Sequence, residues 1–163
     1  MVSYRRLFEA LDRARIEYLI AGGFAVNLHQ VQRATVDLDL IVQLTTGNLE
    51  AFVELMTTLG YRPRLPVDSR DFAKQEIRES WIRERNMTVF SFFNPSNPLE
   101  HVDVFVREPK PFGQLKENRF EVKAFGLVLP VLGLDDLIEL KKTAGRDKDL
   151  FDVSQLEKKK DGN

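Results

Sequence analysis

At 163 residues, 43% hydrophobic and 30% charged, the chain has material for one ordinary folded domain, and this composition excludes wholesale disorder. A formal net charge of −1 excludes a global field drawing it to nucleic acid or an anionic membrane, so a nucleic-acid partner would need a local basic patch. The absence of cysteine excludes disulfides and thiolate zinc sites, and no run reaches the ~20 apolar residues of a membrane helix.

The N-terminal stretch lacks the apolar run of a secretory signal, so a reducing cytoplasm is the expected location. Leu7, Phe8, Leu11 and Ala14, spaced by three and four, predict an amphipathic helix over Tyr4 to Arg15. Tyr18 to Ala21 reads as a short buried strand, broken by Gly22-Gly23, with a short helix from Phe24 to Gln30. Val36 to Gln43 alternates as a strand, and Thr46 or Asn48 caps a helix that Gly60 ends. Asp68 to Trp81 reads as a helix with a charged face. Met87 to Phe93 and His101 to Val106 form a hairpin across Asn94 to Pro98. After a loop at Pro109 and Pro111, short strands flank Gly126, and helices over Leu134 to Lys142 and Arg146 to Leu156 close the chain. The expectation is an α+β domain over residues 1–156, with a mixed sheet and helices packed on it, and a solvated charged tail over 157–163.

Chemistry concentrates at Gly22-Gly23 and at Asp37-Leu38-Asp39. A glycine pair between strand and helix turns tightly and leaves backbone amides open beside a helix N-terminus, which suits a phosphate; taken alone it also reads as a plain tight turn. Asp37 and Asp39, two apart on a strand, point to one face. Side by side in an apolar strand they repel, and a divalent cation resolves this; the alternative is an exposed face on which both sit in water. Asp103 offers a third carboxylate from a later strand, for a second metal or for a proton from an attacking hydroxyl, or else it is a lone edge charge. Glu100 and His101 read as bystanders. In the closing helices, Lys141 or Arg146 can meet a triphosphate with Asp149 or Asp152 holding it; the same charges also complement helix dipoles. Arg33 reads as a phosphate contact or a solvated cation. Trp81 with Arg78, Arg83 and Arg85 reads as a nucleic-acid-facing ridge or a solvated helix face.

Gly22-Gly23, then Asp37-x-Asp39, with Asp103 on a later strand, resembles the polymerase-β-like nucleotidyltransferase superfamily. Within it, Ala21 to Val26 with Arg33-x-Thr35-x-Asp37-x-Asp39, and Lys141-x4-Arg146 followed by Asp149-x-x-Asp152, resemble the AbiEii and MenT toxins. In length and in its Gly-Gly and Asp-x-Asp spacing the chain also resembles the small lincosamide nucleotidyltransferases. The match runs in order from Tyr18 to Leu156.

The resemblance implies the nucleotidyltransferase fold and transfer of a nucleoside monophosphate from an NTP to a hydroxyl. Asp37, Asp39 and Asp103 would hold magnesium or manganese. Gly22, Gly23, Arg33, Thr35, Arg146 and Asp149 would serve the nucleotide, and Lys141 would steady the triphosphate. The implied acceptor is RNA such as tRNA, or a protein, within a toxin–antitoxin or phage-defence system. An antibiotic acceptor is the second expectation, and a catalytically silent nucleotide-binding module the third. AbiEii-type toxins carry a further helical region, so the acceptor side here would come from a partner, either an antitoxin or a second copy of the chain.

Overall fold

The computed structural model describes residues 4–162. Helix α1 (Arg5–Arg13) turns Leu7, Phe8 and Leu11 inward, as their spacing requires. Strand β1 (Tyr18–Ala21) is buried throughout and runs directly into α2 (Gly22–Leu28), so the glycine pair opens the helix rather than preceding it. Strand β2 (Leu38–Val42) follows a long loop, and Asp37 stands at the bend before it, not within it. Helix α3 (Thr46–Thr58) starts without a side-chain cap. Asn48 instead accepts from the Glu17 amide at 2.9 Å and donates to the Glu17 and Gln43 carbonyls at 3.0 Å each, stapling the helix start to the segments before β1 and after β2.

After the two-residue strand β3 (Arg62–Pro63), the expected helix over Asp68 to Trp81 is divided. A 3-10 turn covers Ser69–Ala73, Lys74 is extended, and α4 covers Gln75–Arg85. Strands β4 (Val89–Asn94) and β5 (Asn97–Phe105) form the expected hairpin. A short helix, α5 (Phe112–Glu117), occupies what reads in the sequence as loop. Strands β6 (Phe120–Ala124) and β7 (Leu127–Val131) pair around Gly126, and α6 (Leu134–Ala144) and α7 (Asp147–Gly162) close the fold. The tail expected to fray is helical through Gly162. Lys142 pairs with Glu157 at 2.7 Å, and Lys160 with Asp135 at 2.6 Å.

The strands form one mixed sheet in the order β3-β4-β5-β2-β1-β7-β6, with β2/β5 and β1/β7 parallel. On one face Leu38, Leu40, Val102 and Val104 join Phe90 and Phe92 in register. Aromatic rings cover them: Phe72 and Trp81 stack on Phe90 at 5.0 and 5.2 Å, and Phe52 meets Phe92 edge-on at 6.0 Å. The opposite face of β2 and β5 carries Asp39 and Asp103 beside the buried Ile41 and the half-buried Phe105.

Candidate active site

Four neighbouring strands place Ala21, Asp39, Asp103 and Ser91 in a single row across the sheet. Adjacent strands lie about 4.8 Å apart, so two carboxylates stand next to each other on the face away from the aromatic core. Ser91 Oγ donates to Asp103 Oδ1 at 2.6 Å. Burial pushes the Asp39 carboxyl up to about 6, and the charges of Asp103 and Asp37 push in the same direction; Lys141 and Arg33 pull it back less strongly. Asp39 is therefore a carboxylate short of positive charge.

The glycine corner is packed against this acid. Gly22 has φ +61°, and a Cβ there would stand 2.0 Å from Asp39 Oδ2. A Cβ on Gly23 would stand 2.7 Å from Thr35 Oγ1 and 2.9 Å from Arg33 Nη1. The absent side chains are thus used by the chain's own acid and by its 31–37 loop, which occupy the space the sequence reading left open for a ligand. Gly22→Ala is expected to destabilise the protein by about 2 kcal/mol, from left-handed strain plus displacement of Asp39. Chemical denaturation measures it; an unchanged midpoint would show that the close approach is not needed.

The loop carrying Arg33, Thr35 and Asp37 is anchored by Asn27 of α2. Its Nδ2 donates to the Arg33 carbonyl at 2.9 Å, and its Oδ1 accepts from the Arg33 amide at 2.7 Å. Thr35 Oγ1 points back to the Asp37 carbonyl at 3.4 Å, so Thr35 serves the loop geometry. Asp37 is exposed, yet close enough to Asp39 to raise its pKa.

A charged cluster lies beside the row. Lys141 Nζ meets Asp152 at 2.9 Å and Asp149 at 3.2 Å, with all three side chains almost fully buried. Arg33 reaches Asp152 at 2.9 Å, and Arg146 reaches Asp149 at 2.6 Å. Burial raises the Asp149 carboxyl, but the hydrogen bonds from Arg146 and Lys141 outweigh it and hold it below the usual carboxylate range. Lys141 therefore has carboxylate partners already, and its charge acts on Asp39 through space. Arg146, with 64% of its side chain exposed, is the member of the cluster with surface to offer a ligand.

The proposed basic ridge loses two of its members. Arg78 is buried and donates to the Phe72 carbonyl at 2.7 Å, and Trp81 is a core residue. Only Arg83 and Arg85 stay on the surface. Glu100 is spent on Tyr61, Asn94 and Asn97, each a hydrogen bond of 2.8–3.0 Å. Sequence reasoning missed Ser91 and Asn27. The hairpin pairing, had it been put in register, would have set Ser91 opposite Asp103; nothing in the sequence singles out Asn27.

Among the described residues no three His, Asp or Glu side chains come together as a ready cage for a metal. The donor set nevertheless fits magnesium. Asp39 and Asp103 offer hard oxygens at a spot of uncompensated negative charge, and this ion is commonly held by one or two carboxylates with substrate phosphates completing the shell.

The sheet order, the glycine corner and the in-register acids define the nucleotidyltransferase fold, and solved structures share it. The lincosamide antibiotic adenylyltransferase LnuA, with lincomycin bound, matches with a TM-score of 0.63 at 11% identity, over 96% of this chain and 97% of its own. ANT(2")-Ia in complex with adenylyl-2"-tobramycin matches at 0.59 and 15% identity, over 95% and 88%. An antigenic nucleotidyltransferase-like protein from Paracoccidioides brasiliensis matches at 0.57 and 18%, over 93% and 72%. No family model matches the chain. It is 30% identical over 112 residues to UPF0102 protein STH1475 of Symbiobacterium thermophilum, covering 69% of this chain and 90% of that protein, and it belongs to that protein's family.

Proposed function

We propose that the chain transfers a nucleoside monophosphate from an NTP to a hydroxyl acceptor. The observation carrying this reading is the pair Asp39 and Asp103, adjacent in register, with Asp39 seated against Gly22. Asp39 and Asp103, with Asp37 at the rim, would hold magnesium or manganese, which when bound supplies charge neutralisation at the triphosphate. Ser91 donates to Asp103 Oδ1, so Oδ2 is the oxygen turned to the reaction, either as an ion ligand or as the base that takes the proton of the acceptor hydroxyl. As the acceptor hydroxyl oxygen bonds to the α-phosphorus, the bond to the bridging oxygen breaks and pyrophosphate leaves. Arg146 meets the triphosphate from the open side, Lys141 fixes the potential behind Asp39, and Arg33 and Thr35 shape the loop between them.

Two acceptor classes fit. A small hydroxyl compound of the antibiotic type is favoured by the burial of Arg78 and Trp81, which leaves only Arg83 and Arg85 of the ridge an RNA would use, and by the near-complete coverage of the lincomycin-bound neighbour. The second reading, transfer to tRNA or to a protein in a toxin–antitoxin or phage-defence setting, rests on the Lys141-Arg146-Asp149 arrangement; an antitoxin or a second copy of the chain is the partner that reading implies. Either reaction draws its NTP from the cytoplasm, in keeping with a chain free of cysteine.

Incubation with each labelled NTP and magnesium, offered lincosamides, aminoglycosides, total RNA and cell protein, tests the reading. Label is expected on one acceptor class with the natural chain and on none with the doubly substituted Asp37→Asn, Asp39→Asn protein. Equal labelling by both, or none by either, would overturn it, the latter in favour of a silent nucleotide-binding module.

A further inference from the structure

We infer that Tyr4 is a positioning residue whose hydroxyl sets where Asp37 stands relative to Asp103. Asp37 lies outside the β2 ladder, so the sheet does not fix it as it fixes Asp39. Its preceding peptide carbonyl, that of Val36, is met by Tyr4 Oη at 2.8 Å. The same oxygen lies 3.0 Å from the His101 carbonyl and accepts from the His101 amide at 3.2 Å. One phenol thus bridges the backbone next to Asp37 and the β5 backbone two residues before Asp103. Its ring meets Phe24, just after the glycine pair, edge-on at 5.4 Å. Tyr4 is 3% exposed, so the phenol itself is enclosed, although Val36 stands at the surface.

The position is a junction of four segments: the start of α1, the glycine helix, the Asp37 bend and β5. A phenylalanine would fill the same space and keep the contact with Phe24, so the apolar core does not require the hydroxyl. What the hydroxyl adds is a tie between two backbone segments that each carry a carboxylate. A group that orients ligands in this way acts on ion affinity without touching the ion.

This inference rests on the reading of the acids as an ion site for its functional consequence, but not for its structural one. The test compares the full chain with Tyr4→Phe in three measurements: amide hydrogen exchange over residues 35–38 without metal, Mn2+ affinity by the EPR signal of the free ion, and thermal unfolding. The expected result is faster exchange in that segment, Mn2+ affinity about tenfold weaker, and an unfolding midpoint lowered by only a few degrees, the cost of the backbone groups left without the phenol. In an Asp37→Asn background, Tyr4→Phe is expected to weaken Mn2+ no further, because it acts through Asp37. Unchanged exchange, or losses of affinity that add, would overturn the inference. A natural chain that binds no Mn2+ would overturn the ion site instead, while the exchange result would still decide the role of Tyr4.

Discussion

Asp39→Asn is expected to lower nucleotidyl transfer by about 10³-fold while making the metal-free protein more stable at pH 7 by about 2 kcal/mol. The two effects share one cause. Asp39 is half-buried beside Asp103, with Asp37 adding to the field, and its carboxyl is raised from the ordinary value to about 6. A raised carboxyl means that the folded chain holds its proton more tightly than the unfolded chain. Stability from this group is therefore present at low pH and declines as pH rises from about 4 to about 6, so above pH 6 the ionised group opposes folding. Asparagine keeps the shape and removes the charge. Urea denaturation at pH 5 and pH 7.5 reads the effect: the natural chain is expected to lose more stability between the two than the variant does. A divalent ion should stabilise the natural chain and leave the variant where it was. A variant less stable than the natural chain at pH 7.5, or one that keeps its transfer rate, would remove Asp39 from the centre of the site.

Lys141→Met is expected to destabilise the fold by about 3 kcal/mol, the range for removing one partner from a buried ion pair. Its ammonium is shared between Asp149 at 3.2 Å and Asp152 at 2.9 Å, both almost fully enclosed. Without it, Asp152 keeps only the Arg33 contact at 2.9 Å, and Asp149 keeps Arg146 at 2.6 Å. Those two arginines hold the loss to the lower end of the range. The same substitution removes the positive charge that lowers the Asp39 carboxyl most, so that carboxyl should rise further and transfer should fall at neutral pH. Thermal unfolding of Lys141→Met beside Lys141→Arg separates charge from packing, and equal midpoints for both variants and the natural chain would show that the network does not carry this stability.

Much of the fold was legible because hydrophobic spacing is local. Tyr18 to Ala21 and the pair of strands around Gly126 stand where their apolar runs and turn residues put them, and the expected hairpin forms, although its turn is tighter than Asn94 to Pro98 and its second strand starts at Asn97 instead of His101. The acids were legible for another reason: Asp39 interrupts an otherwise apolar strand, and a charge there calls for compensation. What could not be read was register and burial. Ser91 joins the row only because β4 pairs with β5 in that alignment, and the long separation of Lys141 from Arg33 hides that both meet Asp152. The stretch from Asp68 to Trp81 misled because its charges suggest a solvated face. Arg78 is instead drawn inward by the Phe72 carbonyl, and Trp81 by the ring of Phe90. The closing lysines read as a frayed end, yet Lys160 and Lys159 are engaged with Asp135 and Gln30, partners distant in the sequence.

Calorimetric titration of a non-hydrolysable NTP analogue, with and without magnesium, bears most directly on the carboxylate pair. The natural chain is expected to bind the analogue only with the ion present, and Asp39→Asn and Asp103→Asn are each expected to abolish that ion-dependent binding while remaining folded. Binding of equal strength without magnesium, or undiminished binding by either variant, would contradict a nucleotide site built on these two acids.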